Sequence, residues 1–511
     1  MLAKSDYSAS VTLVMNSLRN YALGERCPSS PHAVVSSLPT MRDVIGYEER
    51  DPRVVEALNS GYPRFVVHAF IEALIEYYTK REGLQERAAV LIPGRRATQD
   101  LVNYAGPGVL TVCVEDGLYL VHFDRGDGEL QDRVRKFVQH TGCGISSRQA
   151  EDRLHGYGLL ESLHSEAVAG SPAQNAVEAT LAALIGCQSK DVLICSSGMN
   201  AFYTGFRAVQ EAQFAKGRSH WLQLGWLYLN SGCVLEEFLG ESDSLHYCYD
   251  ATNTDEIIAK IRSYGDALAC VVVECPTNPL VQVADLPRIG QAVRESGGVL
   301  MIDPTIASIY NVDVLRFADI LVTSLTKYSS HLGDVMIGAL AVNPQSAHYN
   351  DLILRSSSFY QPPYDRDLAR LAFEMQTAPD AVAQMGANTR KLADYLQAHD
   401  AVRKVHYAGY SNDFSEVAKP SGSGGAIISI ELKEDMRPFY DNLAVMKGPS
   451  FGTDFTLVSP FMYLAHYDLV TSEEGRRFLR SVNIEPHLIR ISVGIEPIDD
   501  IIKVFEEALA V

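Results

Sequence analysis

Two short apolar runs, Val299–Ile302 and Ile320–Val322, constrain this 511-residue chain more than any other feature. Each breaks off abruptly, the first at Asp303 and the second into Ser324, Thr326 and Lys327. Short apolar runs bounded by turn residues predict buried strands of a parallel sheet. Ligands in such sheets gather at the carboxyl ends of the strands. A carboxylate and an amine delivered there, with hydroxyls beside the amine, match the needs of pyridoxal phosphate. That cofactor takes a lysine for its aldehyde and an acid for its pyridinium nitrogen. Its phosphate takes hydroxyl and backbone N–H donors. On this reading Lys327 holds the aldehyde and Asp303 pairs with the ring nitrogen. A solvated loop lysine and a turn-capping aspartate are the competing reading of each residue alone. Their joint placement at successive strand ends favours the cofactor.

Other stretches extend the same pattern. DVLICSSGMNAF predicts a strand, a small-residue turn at Ser197–Gly198 and a helix beginning near Met199. Backbone N–H groups at such a helix start form an anion pocket that glycine lets a phosphate approach. LACVVVECPTNPL predicts a buried strand running into a Pro-Thr-Asn-Pro turn, followed by a helix over 285–295. Strand and helix thus alternate as in a doubly wound sheet. Beyond Val342 amphipathic helices over 369–375 and 382–399 precede a Gly-rich turn and the alternating run AIISIEL, which predicts a smaller α+β unit. Upstream, a helix is expected over 11–22 and another over 71–82. The runs 109–116 and 118–123 read as a hairpin or as two separate sheet strands, and RVRKFVQHTG as a helix closed by Gly142.

Composition narrows the function. A net charge of −19 without a long basic block disfavours nucleic acid or an anionic membrane as the main partner. Nine widely spaced cysteines, an odd number with no CxxC pair, indicate neither a disulfide framework nor a metal site. The amino-terminal stretch lacks a signal-peptide core and no run reaches the apolar length of a membrane span, so a cytoplasmic location is expected. The absence of GxGxxG between a strand and a helix disfavours a nicotinamide dehydrogenase.

The segments VVVECPTNPL, MIDPTIAS, TSLTKYSSHLGDVMIGA, KGPSFGTDFTL and LIRISVGIEP resemble the Cys/Met-metabolism family of pyridoxal phosphate enzymes. HAVVSSLPT, GYEER and SGYPRF are similar to the long fungal cystathionine gamma-synthases. The resemblance implies an α/β, aspartate-aminotransferase-like (fold type I) architecture: a mostly parallel seven-stranded-type sheet and a smaller α+β C-terminal domain. It divides the chain into residues 1–85, an arm contributing to the neighbouring subunit's site, residues 86–345, the cofactor domain, and residues 346–511.

By the same resemblance, Ser197, Gly198, Met199, Ser324 and Thr326 hold the cofactor. Tyr62 and Arg64 match a Tyr-x-Arg motif that reaches the phosphate in the neighbouring subunit, with Arg148 as a second candidate. Tyr228 stacks on the ring and assists proton transfer, although Leu229 and Asn230 replace the two glycines that normally follow. Asn278, supported by Glu274, meets the cofactor and the substrate carboxylate. Ser450 and Arg490 bind the amino-acid substrate, and His466 is a possible pocket residue. The implied activity is γ-replacement on O-acetyl- or O-succinyl-homoserine, with Lys327 as the base and a vinyl intermediate that takes up cysteine or a carbon nucleophile. A γ-lyase and a catalytically silent relative are the alternatives. The implied assembly is a homodimer or homotetramer with shared sites. Pro304 after Asp303 and the run TKYSSHLGD depart from the fungal pattern.

Overall fold

The computed structural model describes residues 17–62, 66–170 and 172–511. Its largest sheet has seven strands in the order Val192–Cys195, Gly338–Val342, Ile320–Ser324, Val299–Asp303, Leu268–Glu274, His220–Leu224 and Ser244–Cys248. Gly338–Val342 runs antiparallel to both of its neighbours, and the remaining pairings are parallel. The predicted parallel sheet is therefore present with one reversed strand. Every residue of the interior strand Leu268–Glu274 is buried. This explains its unbroken apolar sequence, since helices cover both faces and neither can be polar. Val271, Val273, Leu300 and Ile302 belong to the core on one side of the sheet, while Val272, Val299 and Met301 belong to the core on the other.

The carboxyl-terminal part carries a second, five-stranded sheet in the order Val402–His406, Ile427–Leu432, Ile489–Ser492, Leu457–Pro460 and Met446–Lys447. The long helix Ala378–Ala398 and the last helix, Ile498–Leu509, pack together beside it. The segment preceding Tyr62 joins this part of the molecule: Leu38, Met41, Val44 and Tyr47 share a core with Tyr440, Phe461 and Met462.

Between them in sequence lies an antiparallel three-stranded sheet, Arg87–Pro93, Leu118–Asp124 and Leu110–Glu115. The runs 109–116 and 118–123 thus form a hairpin, turning at Asp116-Gly117. The helices Arg95–Ala105 and Gly128–Thr141 bury one core against this sheet. The helices Ala69–Arg81 and Ser147–Gly156 bury another. Gly142 ends its helix with φ 64°, the left-handed cap for which glycine has no steric cost. Residues 17–22 are not helical, and the rest of the helix expected over 11–22 lies outside the described residues. Among the described residues no helix is long and apolar enough to cross a membrane.

Candidate active site

The carboxyl ends of the parallel strands open into a cavity of about 540 Å³. Tyr62, Ser197, Gly198, Met199, Tyr228, Asn278, Asp303, Ser324, Thr326, Lys327 and Arg490 all line it. Sequence positions up to 428 apart meet there because strand ends, loops and helix starts converge on one sheet edge.

Lys327 lies in the turn after Ile320–Ser324. Its Nζ donates to the Tyr62 hydroxyl and, at 3.0 Å, to Ser450 Oγ, while those two hydroxyls are 2.5 Å from each other. Burial, reinforced by the positive charge of Arg490, holds the Lys327 amine well below its ordinary pKa of 10.5. Both of these partners of Nζ are hydroxyls, and neither is a carboxylate.

Asp303 ends its strand with Oδ1 accepting from Thr305 N at 2.8 Å and Thr305 Oγ1 at 2.5 Å. Burial raises this carboxyl to about 6, and the two Thr305 bonds oppose the rise. Glu274 stands opposite Asp303 in the parallel register. Burial and then the charge of Asp303 push Glu274 well above the usual carboxylate range. Glu274 Oε1 also lies 2.5 Å from the backbone N of Tyr228. Tyr228 in turn caps the helix Leu229–Phe238, which begins where the paired glycines would have stood.

Arg490 is buried in the strand Ile489–Ser492, an alternating run that would ordinarily expose it. Nη1 donates to Asn278 Oδ1 at 3.2 Å, and Nη2 to the carbonyls of Pro449 and Ser450 at 3.0 and 3.2 Å. Phe451 and Phe461 flank the guanidinium at 5.1 Å. Burial lowers its pKa to about 10, which leaves it charged at neutral pH. The arrangement holds a cation rigidly at the cavity wall with neutral partners only, so an incoming carboxylate meets an uncompensated charge. Replacing Arg490 by Gln is expected to raise KM for an amino-acid substrate by about 10- to 100-fold, the worth of a charged hydrogen-bond pair. Steady-state kinetics measures this, with kcat falling less than KM rises.

At the other end of the cavity Ser197 caps the helix Gly198–Phe214, its hydroxyl accepting from Asn200 N at 3.0 Å. A Cβ on Gly198 would sit 2.7 Å from Ser324 Cβ, so the helix start and the strand end approach as closely as two chains can. First-turn amides, the hydroxyls of Ser197 and Ser324, a buried carboxyl and a buried amine form the donor and acceptor set that pyridoxal phosphate requires, and the residues fit it. Gly198→Ala should weaken cofactor binding by about 10- to 100-fold, because overpacking costs about 1–3 kcal/mol. Spectroscopic titration of the cofactor reads the change. Thr326 faces inward differently: its hydroxyl exchanges 3.3 Å bonds with the backbone of Ile337. Met199 lies 4.0 Å from Ser231 Oγ through its sulfur.

Several expectations meet a different arrangement. Tyr62 lies in the cavity of its own chain, against Lys327, whereas the resemblance sends it to a neighbour. The segment is anchored in cis by Ser60 Oγ donating to the Pro31 carbonyl at 3.2 Å and by Val34 N donating to the Gly333 carbonyl at 2.9 Å. Arg64 lies outside the described residues. Arg148 turns away from a phosphate role. It is buried among Glu166, Asp334 and Asp367, at 2.6, 3.4 and 3.1 Å, so its charge is already met by carboxylates. His466 packs edge-on to Trp226 at 4.9 Å and does not line the cavity.

Sequence reasoning missed Thr305, Phe451 and a whole wall. Pro93, Gly94, Arg96, Gly117, Gln139 and Gly142, all from the three-stranded layer and its helices, border the cavity. The Asp303-x-Thr305 spacing is a local turn signal that pointed to the first of these. The wall arises from packing between distant segments and has no local signature.

A family model for Cys/Met metabolism PLP-dependent enzymes matches residues 163–510. The L-2-amino-4-chloropent-4-enoate dechlorinase/desaturase of Streptantibioticus cattleyicolor is 35% identical over 488 residues, covering 94% of this chain and 97% of that one. The cystathionine gamma-synthase of Neurospora crassa is 27% identical over 623 residues, covering 96% and 98%. The crystal structure of metB from Corynebacterium glutamicum superposes with a TM-score of 0.58 at 24% identity, over 69% of this chain and 88% of that one, a likeness of fold. With the match spanning the large sheet and the whole carboxyl-terminal part, this chain belongs to the Cys/Met metabolism family of PLP-dependent enzymes.

Proposed function

We propose that this enzyme removes a leaving group from the γ-carbon of an L-α-amino acid, using pyridoxal phosphate held on Lys327, and then adds a second nucleophile. The observation that carries the reading is the buried Lys327 amine, bonded to two hydroxyls and facing the same cavity as the buried cation of Arg490. Pyridoxal phosphate supplies an electron sink conjugated to the amino nitrogen of its substrate. Arg490 binds the α-carboxylate and Asn278 keeps the guanidinium turned toward it. Asp303 holds the proton of the cofactor ring in place. Lys327 takes the proton from Cα once its nitrogen is free, a role that its lowered pKa favours. Chemistry at the γ-carbon needs a second deprotonation, at Cβ, so the base must be discharged and used again. The Tyr62 and Ser450 hydroxyls on Nζ give it an immediate route for that proton. Tyr228, bordering the same cavity, is the candidate acid for the departing group.

O-acetyl- or O-succinyl-homoserine, with cysteine or a carbon nucleophile as the second substrate, fits this chemistry. A second reading, elimination without replacement, draws support from the Streptantibioticus cattleyicolor relative, whose name specifies loss of chlorine from position 4, the γ-carbon. The test is to offer O-acetyl-L-homoserine and L-2-amino-4-chloropent-4-enoate separately, with and without thiols and small carbonyl compounds. Acetate or chloride release supports γ-chemistry, and release of neither from any γ-substituted amino acid overturns it. An adduct identifies replacement. An unsaturated amino acid or 2-keto acid formed without a nucleophile identifies elimination.

A further inference from the structure

Downstream of Lys327, a buried histidine ties the lysine turn to the serine loop. The backbone after Lys327 is strained, with Tyr328 at φ 58°, a conformation that side chains other than glycine rarely adopt. Such a turn persists only where its surroundings hold it. Tyr328 N donates to the Gly452 carbonyl at 2.9 Å, and Asp454 N donates to the His331 carbonyl at 2.9 Å. Between these bonds His331 Nδ1 meets Asp454 Oδ1 at 2.7 Å, with both residues buried, at 3% and 2% exposure. Two contacts therefore join the same two loops in the same offset. Lys327 meets Ser450, and His331 meets Asp454, each pair 123 residues apart in sequence.

The charge on His331 follows from its partners. Nδ1 faces a carboxylate oxygen. Nε2 faces Thr377 Oγ1 at 2.9 Å and the Glu374 carbonyl at 3.2 Å. Thr377 Oγ1 is itself 3.2 Å from that carbonyl and donates to it, so it accepts from the ring. Both ring nitrogens are then donors, which only the imidazolium provides. Burial opposes the charge, but Asp454 and then Glu374 more than offset it and raise the pKa above 6.5. The Glu374 carboxyl, pushed up to about 8 by burial and then by the charge of Asp334, accepts from Leu332 N at 3.0 Å and lies 3.2 Å from Arg370.

We propose that His331 is a positioning residue for Lys327: by binding Asp454 as an imidazolium it pins the strained lysine turn to the loop carrying Ser450, and so fixes Nζ against Ser450 Oγ. The inference rests on Lys327 being the residue that carries the cofactor. It needs no contact between His331 and the substrate. Its effect should pass through Ser450, which distinguishes positioning from a general contribution to folding.

The experiment compares Asp454→Asn in the otherwise unchanged enzyme and in a Ser450→Ala background. In the first, kcat should fall by about 10- to 100-fold, as sub-ångström misplacement of a reacting group costs, with KM nearly unchanged. The pH midpoint of the visible band of the lysine-bound cofactor should move by about half a unit or more. In the second, Asp454→Asn should add almost nothing to either quantity. His331→Gln in the otherwise unchanged enzyme, which keeps a donor toward Asp454, should lose less than Asp454→Asn does, and an equal or larger loss overturns the proposal. An unaltered kcat and spectrum in the folded variant, or equal shifts in both backgrounds, overturns the proposal. Should Asp454→Asn fail to fold, Thr377→Val removes only the hydroxyl at Nε2; a smaller shift of the same midpoint is expected, and none overturns the proposal. A wild-type enzyme with no lysine-bound band overturns the role of Lys327 itself, and this proposal with it.

Discussion

Lys327→Ala should leave no cofactor-bearing peptide after borohydride reduction, and kcat should drop by about 10²–10⁴-fold, the usual worth of a general base, or more. Among the described residues lining the cavity no second lysine stands ready to replace it. The substitution also changes how stability depends on pH. In the cofactor-free protein the folded-state pKa of Lys327 lies well below 10.5, so between the two values the unfolded chain binds a proton that the folded chain does not. Stability therefore rises with pH across that interval. Lys327→Ala removes this contribution to the slope, and thermal melts of the cofactor-free proteins across neutral to alkaline pH will register the difference. A reduced, cofactor-labelled peptide elsewhere in the chain would refute the assignment.

Asp303→Asn should retain the cofactor yet lower kcat by about 10²–10³-fold, as loss of one preorganised electrostatic partner does. The amide is nearly isosteric and still accepts from Thr305, so the turn survives. What is lost is the negative charge that keeps the ring nitrogen protonated. In the cofactor-free protein Asp303 is raised to about 6, by burial first, with Thr305 pulling the other way. Between 3.8 and about 6 the folded state thus holds a proton that the unfolded chain releases, and stability from this group falls as pH rises through that window. Asn should flatten that stretch of the stability curve, while absorbance and single-turnover rates report the damage to the chemistry. Unchanged kcat would show that another group governs the ring.

Much of the large sheet was legible because its strands are covered on both faces, and full burial writes itself into sequence as an apolar run ended by a polar residue. Asp303 and Lys327 stood out as candidates on that basis, and the family resemblance gave them their roles. Ser197 and Gly198 were visible as a turn and cap. Arg490 was harder: in an alternating strand a charge reads as solvent-facing, and only the packing of Phe451 and Phe461 around it reveals otherwise. The Tyr62 hydroxyl beside Lys327 was illegible, since 265 residues separate them and neither segment advertises the other. Arg148 misled for a related reason. Charge type suggested an anion, but its three carboxylate partners lie in segments reaching as far as Asp367, 219 residues away. The hairpin at Asp116-Gly117 was readable as one of two options, and its role as a cavity wall was not readable at all.

That wall has a practical corollary. The layer formed by residues 87–145 contributes enclosure, and none of the groups that surround the Lys327 nitrogen. Access and reactivity are consequently written in separate modules of a single polypeptide. Exchanging the module between relatives ought to alter which molecules gain admission while leaving the chemical machinery intact, offering a starting point for retuning such an enzyme.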